Sequence, residues 1–205
     1  MKISYAITVC NEFEEITVLI PFLIKHKRKE DEIVILLDKP KASKELQTLL
    51  EDYAQAEDVW LIPDTFDKNF ADWKNKLTAC CNGNYVINID ADESPTEAFM
   101  EYIASVLEDN PEVDVMIVPR WNTVAGLTEE HVRRWGWRVD HMSRVNWPDY
   151  QMRVYKKNDT IQWTNPVHEK LIGYTTFAPL PDSMYFNHHK TIERQEKQNA
   201  FYNGI

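Results

Sequence analysis

The sequence predicts an α/β fold: a mostly parallel central sheet covered by helices on both faces. Two observations predict it. Five short apolar runs alternate with helical segments through the first 119 residues, the rhythm of a doubly covered parallel sheet. Two of those runs end in carboxylates, at Asp38 and Asp90, and parallel sheets gather ligands at the carboxyl ends of their strands. Glycine is scarce, at 5 of 205 residues. Neither G-x-G-x-x-G nor G-x-x-x-x-G-K-[ST] occurs, which excludes the usual glycine-rich phosphate cradles.

The elements follow in order. Ile3 to Val9 is a β-rich run. Asn11 is placed to cap a helix beginning near Glu12, whose acidic first turn suits the helix dipole; Pro21 should kink that helix. Glu32 to Asp38 is a buried strand that Lys39-Pro40 breaks. A helix runs from about Ala42 to Gln55, a third strand from Val59 to Ile62, and a helix from Asn69 to Cys81. Tyr85 to Ile89 is a fourth strand running into Asp90-Ala91-Asp92-Glu93. Pro95 is expected in the first turn of a helix reaching about Glu108, and Val113 to Val118 is the fifth strand.

The second half loses this rhythm. Residues 120–157 carry eight Lys or Arg against four acids, and four of the seven Trp: Trp121, Trp135, Trp137 and Trp147. Strand-like pieces follow at Met152 to Tyr155 and Thr160 to Trp163, then Val167-His168-Glu169. The tail from Thr191 to Tyr202 reads as a polar helix. With no repeat, low-complexity stretch or linker, a single domain spanning 1–205 is expected.

Charge narrows the function. The chain holds 23 Lys and Arg against 33 Asp and Glu, a net charge of −10. A uniformly acidic surface repels nucleic acid and anionic membrane, so an anionic ligand must be held locally, by a metal or by clustered Arg and Lys. No apolar run reaches the roughly 18 residues of a spanning helix, and the opening residues read as a strand rather than a secretory signal. No membrane association and no obligate protein partner are expected. Cys10, Cys80 and Cys81 form no disulfide pattern, which suggests reduced thiols and a cytoplasmic setting.

Four features carry chemistry. Asp90 and Asp92, two residues apart behind a buried strand, can share one hard divalent cation. His188 and His189 offer imidazole ligands, of which only one can point inward from an extended segment. Glu169, close behind Trp163, has the setting of a general base, with Asp149 as its rival. The Trp and Arg stretch offers ring faces for stacking and guanidinium forks for phosphate.

Taken in order, these residues resemble family 2 glycosyltransferases of the GT-A fold. Ile7-Thr8-Val9-Cys10-Asn11-Glu12 is similar to the family's first strand and polar turn. Asp38 matches its nucleoside-contacting acid, and Asn88 to Glu93 its D-x-D region. Trp147-Pro148-Asp149-Tyr150-Gln151, then Trp163 and Val167-His168-Glu169, resemble a subgroup with a Val-His-Glu ending. His188-His189-Lys190-Thr191, with Arg194, Gln198-Asn199 and Tyr202, fits the same subgroup.

The resemblance implies inverting transfer from a nucleotide-sugar, most readily a UDP-sugar, to a hydroxyl acceptor. Residues 1–119 would form the nucleotide-sugar half, with Val9, Asn11, Glu12, Asp38, Lys76, Asp90 and Ala91 at the donor. Asp92 with His188 or His189 would hold Mn2+ or Mg2+, and Glu169 would be the base. Residues 120–205 would form the acceptor half, with Trp121, Arg133, Arg134, Trp135, Trp147, Trp163 and His168 lining it. The chain is also similar to small glycosyltransferases of tailed bacteriophages, which implies a hydroxymethylated DNA base as one acceptor, stacked on a Trp, and a host-cytoplasmic location. Two other classes stay open: a nucleotidyltransferase, against which the absence of Gly from Val9 to Glu14 counts, and a non-catalytic nucleotide or sugar binder, which would not need Glu169.

Overall fold

The computed structural model describes residues 1–202, apart from the side chain of Tyr202. The sequence-predicted role of the Tyr202 side chain therefore lies outside the described residues. A seven-stranded sheet forms the centre. In chain order its first strands are β1 (Ile3–Val9), β2 (Glu32–Asp38), β3 (Val59–Asp64) and β4 (Tyr85–Asp90). β1 pairs in parallel with both β2 and β4, and β2 in parallel with β3.

Side-chain alternation explains why both faces are covered. In a strand successive side chains point to opposite faces. Ile3, Tyr5, Ile7, Ile33, Ile35, Leu37, Ile87 and Ile89 bury against one face. That face packs α1 (Phe13–His26), α2 (Lys44–Tyr53) and α4 (Glu97–Asp109). Ala6, Val34, Leu36 and Val86 bury on the other face with Ala71, Trp73 and Leu77 of α3 (Phe70–Cys80). Strands buried on both faces read as continuous apolar runs, which is why they were visible in the sequence.

The short β5 (Glu93–Pro95) follows β4 at once. Pro95 therefore ends a strand rather than opening a helix; Thr96 caps α4, its side chain accepting from the Phe99 amide. One other expectation is corrected at α1. Its N-cap is Glu12, not Asn11, whose side chain accepts from the Ser43 amide instead. The helix also continues through Pro21 to His26.

The second half completes the same sheet. β6 (Val115–Val118) and β8 (Gln151–Lys156) extend it, with β8 running antiparallel between β4 and β6, and β11 (Phe177–Pro179) closes the edge beside β6. Between them come β7 (Arg120–Ala125) and α5 (Glu129–Trp135). β9 (Gln162–Thr164) and β10 (Lys170–Ile172) form a hairpin. β12 (Phe186–Thr191) then joins a second sheet of three strands, parallel to β7 and antiparallel to β5, and α6 (Ile192–Tyr202) follows. This small sheet lies at the carboxyl end of β4 because β5 is one of its strands. Among the described residues no helix is long and apolar enough to cross a membrane.

Candidate active site

The rim at the carboxyl end of β4 opens into a cavity of about 580 Å³. Asp90, Asp92, Arg120, Asp149, Arg153 and Glu169 are among its lining residues. Asp90 ends β4, opposite Thr8 of β1. Asp38 ends β2 on the far side of β1, two strand spacings along the same rim, roughly 10 Å.

An alternating chain of charges crosses the cavity wall. Glu169 Oε1 accepts from Lys74 Nζ at 2.6 Å, and Lys74 Nζ stands 3.2 Å from Asp90 Oδ1. Arg153 reaches Asp90 Oδ2 at 2.6 Å and Glu93 Oε1 at 2.5 Å. Arg120 joins Glu93 at 3.1 Å to Asp149 at 2.6 Å. The register of β8 explains Arg153: Val154 lies opposite Ile87, so the residue before it approaches the rim beside Asp90. Burial acts to raise the Asp90 pKa, but the Arg153 and Lys74 cations outweigh it and hold the carboxyl well below the usual range. Burial also acts to lower the Arg153 pKa, and the Asp90 and Glu93 carboxylates outweigh it and push that pKa up. Buried charges persist only when paired in this way.

Asp92 forms a second focus. His188 Nε2 and Lys190 Nζ each lie 3.4 Å from its Oδ2, and an Arg194 Nη lies 3.6 Å away. Burial opposes ionisation, yet the His188 hydrogen bond and these charges drive its pKa far down. The pairing of β12 settles which histidine faces Asp92. His188 is buried opposite Glu93 and Asn122, its Nδ1 2.7 Å from Asn122 Oδ1. His189 points to the other side, exposed, and hydrogen-bonds Thr123.

The donor-side residues expected from the sequence form a separate group farther along the rim. Glu12 folds back so that its Oε2 accepts from the amides of Cys10 and Asn11 at 2.7 and 2.9 Å. Burial pushes its pKa up, against those two hydrogen bonds, and Asp92 adds to the rise. Asp38 is buried and accepts from the Phe66 amide. Val9 and Ala91 are buried core residues. Lys76 pairs with Asp64 at the end of β3, the register partner of Asp38.

On the other side, expectation and geometry diverge. The surroundings of Glu169 are not apolar, because the Lys74 ammonium faces it. Asp149 is enclosed by donors: Arg120, Asn122 at 2.8 Å and Gln151 at 2.9 Å. Trp163 is buried, donating to the Tyr155 hydroxyl at 3.2 Å, with Lys74 over its ring at 4.8 Å. Trp121 and Trp147 pack on each other and on Tyr185, and Arg144 covers both rings; both Trp lie outside the cavity wall. Arg133 and Arg134 are exposed on α5. Arg134 and Trp135 line a neighbouring hollow of about 520 Å³, which shares Trp137, His168 and Asn199 with the main cavity.

Lys74 gave no motif in the sequence. Its signal is periodic: it stands three residues from both Ala71 and Leu77, on the buried stripe of α3. A lysine on an apolar stripe needs a buried partner.

Asp92 and His188 are ligand types suited to a divalent cation: a hard oxygen and an imidazole. Among the described residues no three His, Cys, Asp or Glu side chains cluster to complete a site alone. The pair would supply two ligands of such a cation.

A mostly parallel sheet with carboxylates at the end of one central strand, and a small sheet across its rim, is the GT-A arrangement. The chain belongs to glycosyl transferase family 2, whose model matches residues 4–172. Solved structures of TarS from S. aureus share the fold. TarS 1–349 aligns at TM-score 0.65 and 14% identity, covering 92% of this chain and 60% of that one. Its complex with UDP aligns at 0.66 and 15%, covering 92% and 60%. Its complex with UDP-GlcNAc aligns at 0.63 and 15%, covering 93% and 59%. The chain thus spans about 60% of the length of these TarS structures. No curated protein matches it in sequence.

Proposed function

We propose that this protein transfers a sugar from a nucleotide-sugar, a UDP-sugar first among them, to a hydroxyl acceptor with inversion at the anomeric carbon. The observation that carries the reading is one cavity lined by Asp90 at the end of β4, by Asp92 two residues on, and by Glu169. The family membership and the UDP and UDP-GlcNAc complexes of TarS support the donor class.

Residues 1–119 contribute most of the donor side. Asp38 and the turn at Asn11 and Glu12 face the nucleoside, and Asp90 the ribose edge of the diphosphate. Asp92 and His188 hold Mn2+ or Mg2+, which when bound offsets charge on the leaving diphosphate. Lys190 and Arg194 add fixed positive charge beside it. On the acceptor side, formed mainly by residues 120–205, Glu169 takes the proton from the attacking hydroxyl. The acceptor oxygen bonds to the anomeric carbon as the bond to the diphosphate breaks, and the nucleoside diphosphate leaves. A single direct displacement needs one base and no carboxylate nucleophile.

Exposed Arg133 and Arg134 beside Trp135 favour an anionic, ring-bearing acceptor, a hydroxymethylated base in phage DNA among them. The three free cysteines fit a reducing, cytoplasmic setting. The test is nucleotide release. Incubated with UDP-, GDP- and CMP-sugars and manganese, the protein should hydrolyse one class slowly and faster once an acceptor is added. Binding without release from any donor would favour a non-catalytic binder. Pyrophosphate release from a nucleoside triphosphate would favour a nucleotidyltransferase.

A further inference from the structure

Lys74 is the charge that links Asp90 to Glu169. It rises from α3, with only 3% of its side chain exposed. Its ammonium stands 2.6 Å from Glu169 Oε1, 3.2 Å from Asp90 Oδ1 and 4.8 Å from the centre of the Trp163 ring. No other cation is paired with Glu169 among the described residues.

The hairpin that carries Glu169 is fastened to α3 around this lysine. Asn75, the next residue, donates to the Trp163 carbonyl at 2.9 Å and accepts from the Trp163 amide at 2.8 Å. The Phe70 amide donates to the Pro166 carbonyl at 3.0 Å. The loop between β9 and β10 turns through two left-handed residues, Asn165 and His168. It thereby brings Glu169 back beside Thr164, the partner of Lys170. The backbone is thus held by α3, and the carboxylate at its end by Lys74.

A flexible glutamate at a loop end has several rotamers, and a base works only within hydrogen-bond reach of the proton it takes. One carboxylate oxygen is held by the ammonium, and Glu169 lines the cavity. We infer that Lys74 is a positioning residue: it fixes the Glu169 carboxylate against the Asp90 rim, so that the base is aligned with the donor. The inference rests on Glu169 being the base of the proposed transfer. Lys74 acts through Glu169 and Asp90, the two carboxylates it contacts.

The groups facing Glu169 are Lys74 from α3 and, more distantly, Arg153 from β8. His168 is its chain neighbour. Removing Lys74 deletes the contact that holds one oxygen of the Glu169 carboxylate. A purely structural lysine would lower the amount of folded protein without lowering the kcat of the remainder.

The experiment measures nucleotide release from a panel of UDP-sugars, with water as acceptor, across pH 5 to 9. It compares the parent with Lys74→Met, Lys74→Arg and Glu169→Gln. Melting curves show which variants fold, and Lys74→Arg keeps the charge where Met disturbs packing. Expected is a kcat fall of about 10-fold or more in Lys74→Met with the donor KM changed less. Lys74→Arg should restore kcat in part. If Glu169→Gln is impaired while a folded Lys74→Met keeps the parent's kcat, the inference is overturned and the base assignment stands. If Glu169→Gln keeps full turnover, the base assignment itself is overturned and the inference falls with it. A parent that releases nucleotide from no donor overturns both.

Discussion

Asp92 and His188 meet across two strands that are distant in sequence: Asp92 Oδ2 lies 3.4 Å from His188 Nε2. β4 delivers the aspartate, and the pairing of β12 with β5 and β7 delivers the histidine. His189, the next residue, is turned away by the strand's alternation. The two neighbouring histidines should therefore behave differently. His188→Ala should weaken manganese-dependent UDP binding by about 10-fold, the lower end of a lost metal contact. His189→Ala should leave it unchanged. Calorimetry decides, and equal effects from both variants would contradict the geometry.

Asp92→Asn tests the same centre from the other side. An amide is a weaker ligand for a hard cation than a carboxylate. The variant should lose the gain in UDP affinity that manganese gives the parent. Lys190 and Arg194 remain, so some metal-free binding should persist in EDTA. Parent affinity that is identical in EDTA and in manganese would remove the metal from the account.

At the opposite end of the sheet, Glu32 is fully buried and accepts from Lys2 at 2.7 Å, the Ser4 hydroxyl at 2.7 Å and the Asn82 amide at 2.5 Å. Burial acts to raise its pKa, and the Lys2, Ser4 and Asn82 bonds overcome this and lower it. A carboxyl whose folded pKa is lowered stabilises the fold above its unfolded value, about 4.3, and loses that contribution as pH falls below it. Glu32→Gln should destabilise by about 1–3 kcal/mol at pH 7, the range for hydrogen bonds to charged groups. The gap to the parent should narrow below about pH 4. Melting temperatures at pH 7 and pH 3.5 check this; an unchanged gap would contradict it.

Gly173 closes the β9–β10 hairpin at φ +79°, and a Cβ there would meet the Thr160 carbonyl oxygen at 1.8 Å. Gly173→Ala combines that clash with a left-handed backbone, which costs about 1–3 kcal/mol by itself. Because this hairpin carries Glu169, the variant should lose turnover along with melting temperature. UDP affinity should fall less, since the donor rim lies on other strands.

Much of this was legible before the structure. β1 and β2 match their predicted bounds because strands buried on both faces are unbroken apolar runs. Asp38 and Asp90 were placed on one rim because parallel strands share a direction. The second half was less legible. β5, β10, β11 and β12 are short or polar, and all of them but β10 pair with strands far away in sequence. Pro95 looked like a helix start because its strand is only three residues long. The Trp residues read as stacking faces, but Trp163 supports Lys74 and Trp121 packs on Trp147. Charges do not declare their partners: Asp149 looked as available as Glu169 until Arg120, Asn122 and Gln151 were found around it.

The most direct test of the account is turnover in Glu169→Gln. The substitution keeps size and hydrogen bonding but removes basicity. With UDP affinity nearly unchanged, kcat should fall by about 10²-fold or more, the usual contribution of a general base. Asp149→Asn, with its carboxylate already committed to Arg120, should cost stability more than turnover. Near-normal kcat in Glu169→Gln, with turnover lost in a folded Asp149→Asn, would contradict the account and move the base to Asp149.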